Sequence, residues 1–198
     1  YVLAHDQIGA EVILGEIYRG QPHYRSRIFV RRDSGISSLE QLRGKTIAFV
    51  DPLSESGYLY PLELFVEQGL LQRNADPNTF FDTVYFAGGY QQAIQAVAHD
   101  FVDAAAASQF AELLLSPEQF TAVKWIAEST PIPSHAVIAR QDLNPEILSS
   151  FRTSMLALNE PQNRHLLAHV YGPDGYIIVD HTSYLGVEKV AKSYGLIQ

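Results

Sequence analysis

The sequence predicts an α/β fold with mostly parallel sheets, on three observations. Short apolar runs such as "TIAFV", Thr46 to Val50, alternate along the chain with segments whose apolar residues recur at helical spacing, such as "YQQAIQAVAHD". That alternation is the pattern of strands connected by helices. The chain has 198 residues, of which 46% are hydrophobic and 18% charged. This is enough apolar material for a core, in one large domain or two small lobes.

The elements follow in order. "EVILGEIY" and "YRSRIFVRR" read as strands. "RDSGISSLEQLRGKT" is a turn with a short helix, capped by Ser37 or Ser38 and closed at Gly44. "TIAFV" is a buried strand. "YLYPLELFVEQGLL" has helical spacing and stops at Gly69; "RNADPNTFF" is a loop. "DTVYFAG" is a strand, and "YQQAIQAVAHD" an amphipathic helix with Ala93, Ile94 and Val97 on one face. "FVDAAAAS" is a short buried strand, and "QFAELLL" a short helix ending near Pro117. "AVKWIAES" and "HAVIARQDL" are strands. "STPIPSH" between them is the best candidate for a crossing between lobes, held extended by Pro131 and Pro133. "NPEILSSFRTSMLAL" is a helix with Asn144 as N-cap and Pro145 first. "EPQNRHLLAHVY" and the tail "HTSYLGVEKVAKSYGL" read as helices.

Charge narrows the function classes. Fourteen basic residues against 22 acidic give −8. An acidic chain without a basic block argues against nucleic acid and anionic membranes, but not against a small anion in a local pocket. There are no cysteines, so disulfides and thiolate chemistry are excluded. No run of about 18 apolar residues is present to cross a membrane. The opening "YVLAHDQIGAEVILG" lacks the parts of a signal peptide and begins abruptly in apolar sequence, which points to missing upstream sequence.

One loop stands out. "DPLSESGYLYP", Asp51 to Pro61, lies between a strand and a helix. A helix start exposes unpaired N–H groups and partial positive charge. The Ser54 and Ser56 hydroxyls add donors, and Gly57 lets backbone approach a ligand. The competing reading is an ordinary N-cap by Ser54 or Ser56. No Gly-Lys-Ser/Thr follows, so it is not a P-loop.

The surrounding stretch resembles the phosphonate-binding proteins of bacterial ABC importers. The resemblance rests on Tyr24 with Ser26, Asp33 to Ile36, Leu42, Gly44 with Lys45, and Asp51 to Gly57 with Pro61. It extends through "FAGGYQQAIQAVAHDFVDAAAAS", "AESTPIPSHAVIARQDLNPE" and the opening "YVLAH". It implies a periplasmic-binding-protein-like (type II) α/β fold of two lobes with a ligand cleft. One lobe spans 31–127. The other combines 1–30 with 130–198 and lacks its first half here. An incomplete lobe exposes apolar surface and favours a homodimer or swapping.

The resemblance further implies that a small oxyanion or phosphonate-like solute is bound and passed to an ABC permease outside the cytoplasm. No chemistry and no cofactor are implied. Ser54, Ser56 and the Glu55, Ser56 and Gly57 amides would hold the ligand, with Tyr24 donating its hydroxyl. The sequence departs at Glu55, where members usually carry threonine, and a carboxylate beside a dianion is repulsive. Where aminophosphonate binders place a histidine and acids, this chain aligns Tyr90, Phe110 and His135. The pocket becomes aromatic, unless Tyr90 and Phe110 are simply core aromatics. Two alternatives share the fold: a ligand-sensing domain of a signalling receptor, or an enzyme such as a cofactor-precursor synthase.

Other clusters read as structural. His165 and His169 stand at i, i+4 in "HLLAH", a spacing compatible with a metal, but without a third ligand. Asp103 reads as a strand-end residue. Alternation puts Arg25, Arg27 and Arg31 on one solvated strand face, with Arg25 or Arg27 able to lend positive potential. Tyr171 and Tyr176 flank a turn at Pro173 to Gly175.

Overall fold

A computed structural model describes residues 1–169 and 173–198; Tyr171 lies outside the described residues. In chain order the helices are α1 (Val2–Ile8), α2 (Tyr60–Glu67), α3 (Tyr90–Ala98), α4 (Pro117–Ala122), α5 (Pro145–Ala157) and α6 (Leu185–Ser193). The strands are β1 (Glu11–Ile17), β2 (His23–Tyr24), β3 (Ser26–Arg31), β4 (Thr46–Phe49), β5 (Thr83–Phe86), β6 (Ala104–Ser108), β7 (Val123–Glu128), β8 (Ile132–Pro133), β9 (Ala136–Ala139) and β10 (Gly175–Ile177). The chain divides into two compact units, Tyr1–Tyr24 with Pro131–Gln198, and Arg25–Thr130. The division falls before Arg25 and after Thr130 rather than at 31 and 127. The reason is that β3 is an interior strand of the second unit's sheet, paired to β6 and β7 over its whole length.

That sheet has the order β5-β4-β6-β3-β7. β4 is parallel to β5 and β6, whereas β3 is antiparallel to β6 and β7. In the first unit β1 pairs antiparallel with β9 and β10, and β2 with β8. The expectation of mostly parallel sheets is therefore corrected. The helices α2 and α3 connect the mutually parallel β4, β5 and β6. Helix α4 connects β6 to β7, but β3 is inserted between those two and runs antiparallel to both. β3 brings the chain into the second unit and β7 takes it out. Their ends meet where the Ser129 N–H donates to the Ser26 carbonyl at 2.9 Å, so the two strands run in opposite directions.

Two-residue periodicity decides which side chain meets which helix. Ala48 and Val50, Ala105 and Ala107, and Phe29 pack against Ala93, Ile94, Val97 and Ala98 of α3. The opposite face carries Phe49, edge-on to Phe81, which is itself edge-on to Phe65 of α2. All four alanines of β6 are fully buried, as small residues must be in a strand with both faces covered. In the first unit Leu14, Leu167 and Tyr176 form a smaller core. Tyr176 belongs to β10, which pairs with β1. The Tyr1 hydroxyl lies 2.8 Å from His181 Nδ1, and His181 Nε2 lies 3.0 Å from Glu188 of α6, tying the two ends of the chain together.

Several local expectations shift. Ser37 and Ser38 do not cap a helix; the Gln41 side chain accepts from both their amides. "QFAELLL" contains only a 3-10 turn, Ala111–Leu114. Pro117 opens a helix instead of ending one, behind a Ser116–Gln119 capping box. Asn144 caps α5 as expected, accepting from the Glu146 amide at 2.7 Å. The segment with His165 and His169 is a 3-10 helix, Arg164–His169. At three residues per turn, i and i+4 no longer share a face. Among the described residues no group of three or more His, Cys, Asp or Glu is placed to hold a metal.

Asp103 anchors the start of β4. It accepts from the Thr46 amide and the Thr46 hydroxyl, each at 2.8 Å, with Lys45 Nζ at 3.6 Å. Partial burial pushes its pKa up, but the Thr46 hydrogen bonds and Lys45 outweigh that and hold it below the ordinary 3.8. A depressed carboxylate stabilises the fold above its unfolded value, and that contribution is lost as pH falls through the folded one. Resistance to urea should therefore fall below about pH 4. Asp103→Asn should lose about 1–2 kcal/mol at pH 7 and flatten that acid slope; an unchanged slope would remove Asp103 from this role.

Candidate functional site

The carboxyl ends of β4, β5 and β6 turn into three short loops, the place where open α/β sheets present ligand sites. After β4 comes a π-helical turn, Glu55–Leu59, that runs into α2. Ser54 caps it: the Gly57 amide donates to Ser54 Oγ at 3.0 Å. The first i→i+5 bond, Leu59 N–H to the Ser54 carbonyl at 3.0 Å, leaves the preceding amides outside the helical ladder. The Gly57 amide, expected to face a ligand, is consumed by this cap. The Ser54 hydroxyl accepts that bond and keeps its own proton to donate.

After β5, Gly88 and Gly89 lead into α3, whose start at Tyr90 has no side-chain cap. Ser56 Oγ lies 2.9 Å from the Tyr90 hydroxyl. One of the two donates to the other, so the pair retains one free O–H. Ser56 is fully buried, and Tyr90 packs its ring against the α3-side core, so it is a core aromatic with a polar end.

A serine that the sequence reading left out of the site fixes the loop. Ser26 of β3 is fully buried and donates its hydroxyl to the Ser56 carbonyl at 2.7 Å. Its amide donates to Ser129 Oγ, and its register partner is Ser108, which accepts from the Phe110 amide at 3.3 Å. Phe110 is half-buried directly after β6. The legible signal for Ser108 was a serine at the end of an otherwise apolar strand, and for Ser26 a serine at the head of one.

Gly57 is dictated by space. A Cβ there would sit 2.4 Å from Val50 Cβ and 2.7 Å from Ser54 Oγ. Glu55 is half-buried in the first turn, a position the helix dipole favours for a carboxylate. Its charge reaches Tyr60. Burial first, then Glu55 and Glu63, push the Tyr60 hydroxyl up to about 12.

Tyr24 and His135 belong to the first unit, their rings 6.3 Å apart, with His135 Nδ1 3.0 Å from Glu16. The arginine face is not simply solvated. Arg27 pairs with Glu128 and Glu112 and stacks on Trp125 at 4.8 Å, Arg25 pairs with Glu128, and Arg31 with Asp33. Such pairing offsets the positive potential that Arg25 or Arg27 could have lent.

Residues 1–184 match the family model described as "ABC transporter, phosphonate, periplasmic substrate-binding protein". The chain belongs to this family. A curated member, the phosphate-import protein PhnD of Mycolicibacterium smegmatis, is 31% identical over 144 residues. That match covers 68% of this chain and 44% of the relative, so the chain spans less than half of the relative's length. Among solved structures, a binding protein component of an ABC phosphonate transporter from Pseudomonas aeruginosa aligns with a TM-score of 0.75 and 25% identity, covering 91% of this chain and 61% of that one. PhnD1 from Prochlorococcus marinus, solved with methylphosphonate, aligns with a TM-score of 0.77 over 95% of this chain and 72% of its own, at 16% identity, which speaks to the fold. The fold of this family member is accordingly α/β, of the type II periplasmic-binding-protein kind.

Proposed function

We propose that this chain binds a small oxyanion of the phosphonate or phosphate class at the Ser54–Gly57 turn and Tyr90, for uptake through an ABC permease outside the cytoplasm. The observation that carries the reading is the Ser56–Tyr90 hydroxyl pair, 2.9 Å apart, which joins the turn before α2 to the first residue of α3. Converging amide dipoles and hydroxyls are the neutral means of holding an oxyanion. The family and its named members supply the solute class and the permease. The reading needs no chemistry from the protein, only binding and release. The two compact units correspond in this reading to the two lobes of the family. No helix among the described residues is long and apolar enough to cross a membrane.

A thermal-shift screen of phosphate, phosphite, methylphosphonate, 2-aminoethylphosphonate and glucose tests it. A ligand that binds only the native state at 100 times its Kd stabilises by about 2.7 kcal/mol. For a chain of this size that is a rise of roughly 5–10 °C. At least one oxyanion should produce it and glucose should not; flat curves for all four anions would remove the assignment.

A further inference from the structure

We propose that Ser26 is a positioning residue for the oxyanion, acting from β3 through a head-to-tail chain of hydrogen bonds that ends at the Ser54 hydroxyl. The inference rests on the oxyanion reading above and deepens it.

The donors of this chain all point the same way. The Ser26 hydroxyl donates to the Ser56 carbonyl at 2.7 Å. That carbonyl shares its peptide group with the Gly57 amide, which donates to Ser54 Oγ at 3.0 Å. Ser54 keeps its own proton to offer to a ligand. The peptide group is planar and conjugated, so a hydrogen bond at its oxygen draws electrons from its nitrogen and makes the N–H a better donor. Bonds aligned in this way strengthen one another by about 10–30% each. An anion at the Ser54 hydroxyl pulls on the far end of the same chain. It makes Ser54 Oγ a better acceptor for Gly57, and the Ser56 carbonyl a better acceptor for Ser26.

Burial favours this coupling. Ser26 and Ser56 are fully buried, Gly57 is buried, and only half-buried Ser54 brings the chain toward solvent. In such a low-dielectric setting each bond is stronger than in water. Ser26 is itself held on both sides of its backbone. Its amide donates to Ser129 Oγ at 3.0 Å, and its carbonyl accepts from the Ser129 amide at 2.9 Å. The Ser129 hydroxyl is committed to the Thr130 carbonyl at 2.8 Å. Loss of the Ser26 hydroxyl leaves the Ser56 carbonyl buried without this donor, a costly state that a turn of the peptide would relieve. Any such turn also shifts the Ser56 side chain, which carries the bond to Tyr90. Ser26 therefore sets both the strength of the Ser54 donor and the place of the Ser56 one.

The test joins titration calorimetry of the 198-residue chain with the NMR signal of the Gly57 amide proton. Inorganic phosphate and methylphosphonate are the probes. Ser26→Ala should weaken whichever probe binds the wild type by about three- to tenfold. In a Ser54→Ala background the same change should cost less than about twofold, because the chain has lost its end. Saturating anion should move the Gly57 amide proton downfield in the wild type, and less so in Ser26→Ala. Gly57 donates inside the protein, so its signal reports the chain rather than a ligand contact. If Ser26→Ala does not fold, Ser26→Cys carries the same comparisons, a thiol being a weak donor of similar shape. An equal loss with and without Ser54, or a Gly57 signal that stays put or moves upfield, overturns the relay and leaves the oxyanion site standing. Failure of both probes to bind the wild type overturns the site itself, and the proposal with it.

Discussion

Gly57→Ala is expected to cost about 3 kcal/mol of folding stability, the largest effect of any single methyl in the candidate site. The added carbon would meet Val50 Cβ at 2.4 Å, Val50 Cγ2 at 2.6 Å and Ser54 Oγ at 2.7 Å. None of these can yield cheaply. Val50 packs in the α3-side core and its amide donates to the Gly57 carbonyl at 3.1 Å. Ser54 Oγ is fixed by the Gly57 amide itself. Relief must come from unwinding the π-helical turn, which also removes the donors at Ser54 and Ser56. Urea unfolding should show the lower midpoint, and anion-dependent stabilisation should vanish in the same variant. Gly57→Ala with wild-type stability and binding would show that the close approach is not maintained in solution.

Ser56→Ala should weaken the best-bound oxyanion by about 10–100-fold, since a hydrogen bond to a charged group contributes about 1.5–3 kcal/mol. It also strips the Tyr90 hydroxyl of its 2.9 Å partner. Tyr90→Phe should cost a similar amount for the reciprocal reason. The double variant should be little worse than either single one, because the two hydroxyls act as one unit. Titration calorimetry on the three variants closes this cycle. Loss of affinity within twofold for Ser56→Ala, or strict additivity, would detach the pair from the ligand. Ser26→Ala is the structural control: it removes the donor to the Ser56 carbonyl without touching either hydroxyl of the pair.

Much of this architecture was legible in local sequence. β4, α3 and α5 follow from an apolar run, an amphipathic period and an Asn-Pro cap, each decided within one or two turns of chain. The Ser54 cap was legible too, as the alternative to an anion site, and the cap does not preclude the other reading, since one serine oxygen can accept the Gly57 amide and still donate outward. What misled was direction. Alternating strands and helices suggested parallel neighbours, but β3 and β7 are an entry and an exit, and chain direction at a crossing is not written in residue periodicity.

Residue type and spacing by themselves determined the α/β class, most element positions and the serine-rich turn, because these depend on contacts within a few residues. Only the tertiary structure decided that Ser56 meets Tyr90, 34 residues away, that Ser26 pins the loop from another strand, and that Arg27 is occupied by Glu112 and Glu128. Those partners are brought together by strand order, and strand order is set by how whole faces pack, not by any local pattern.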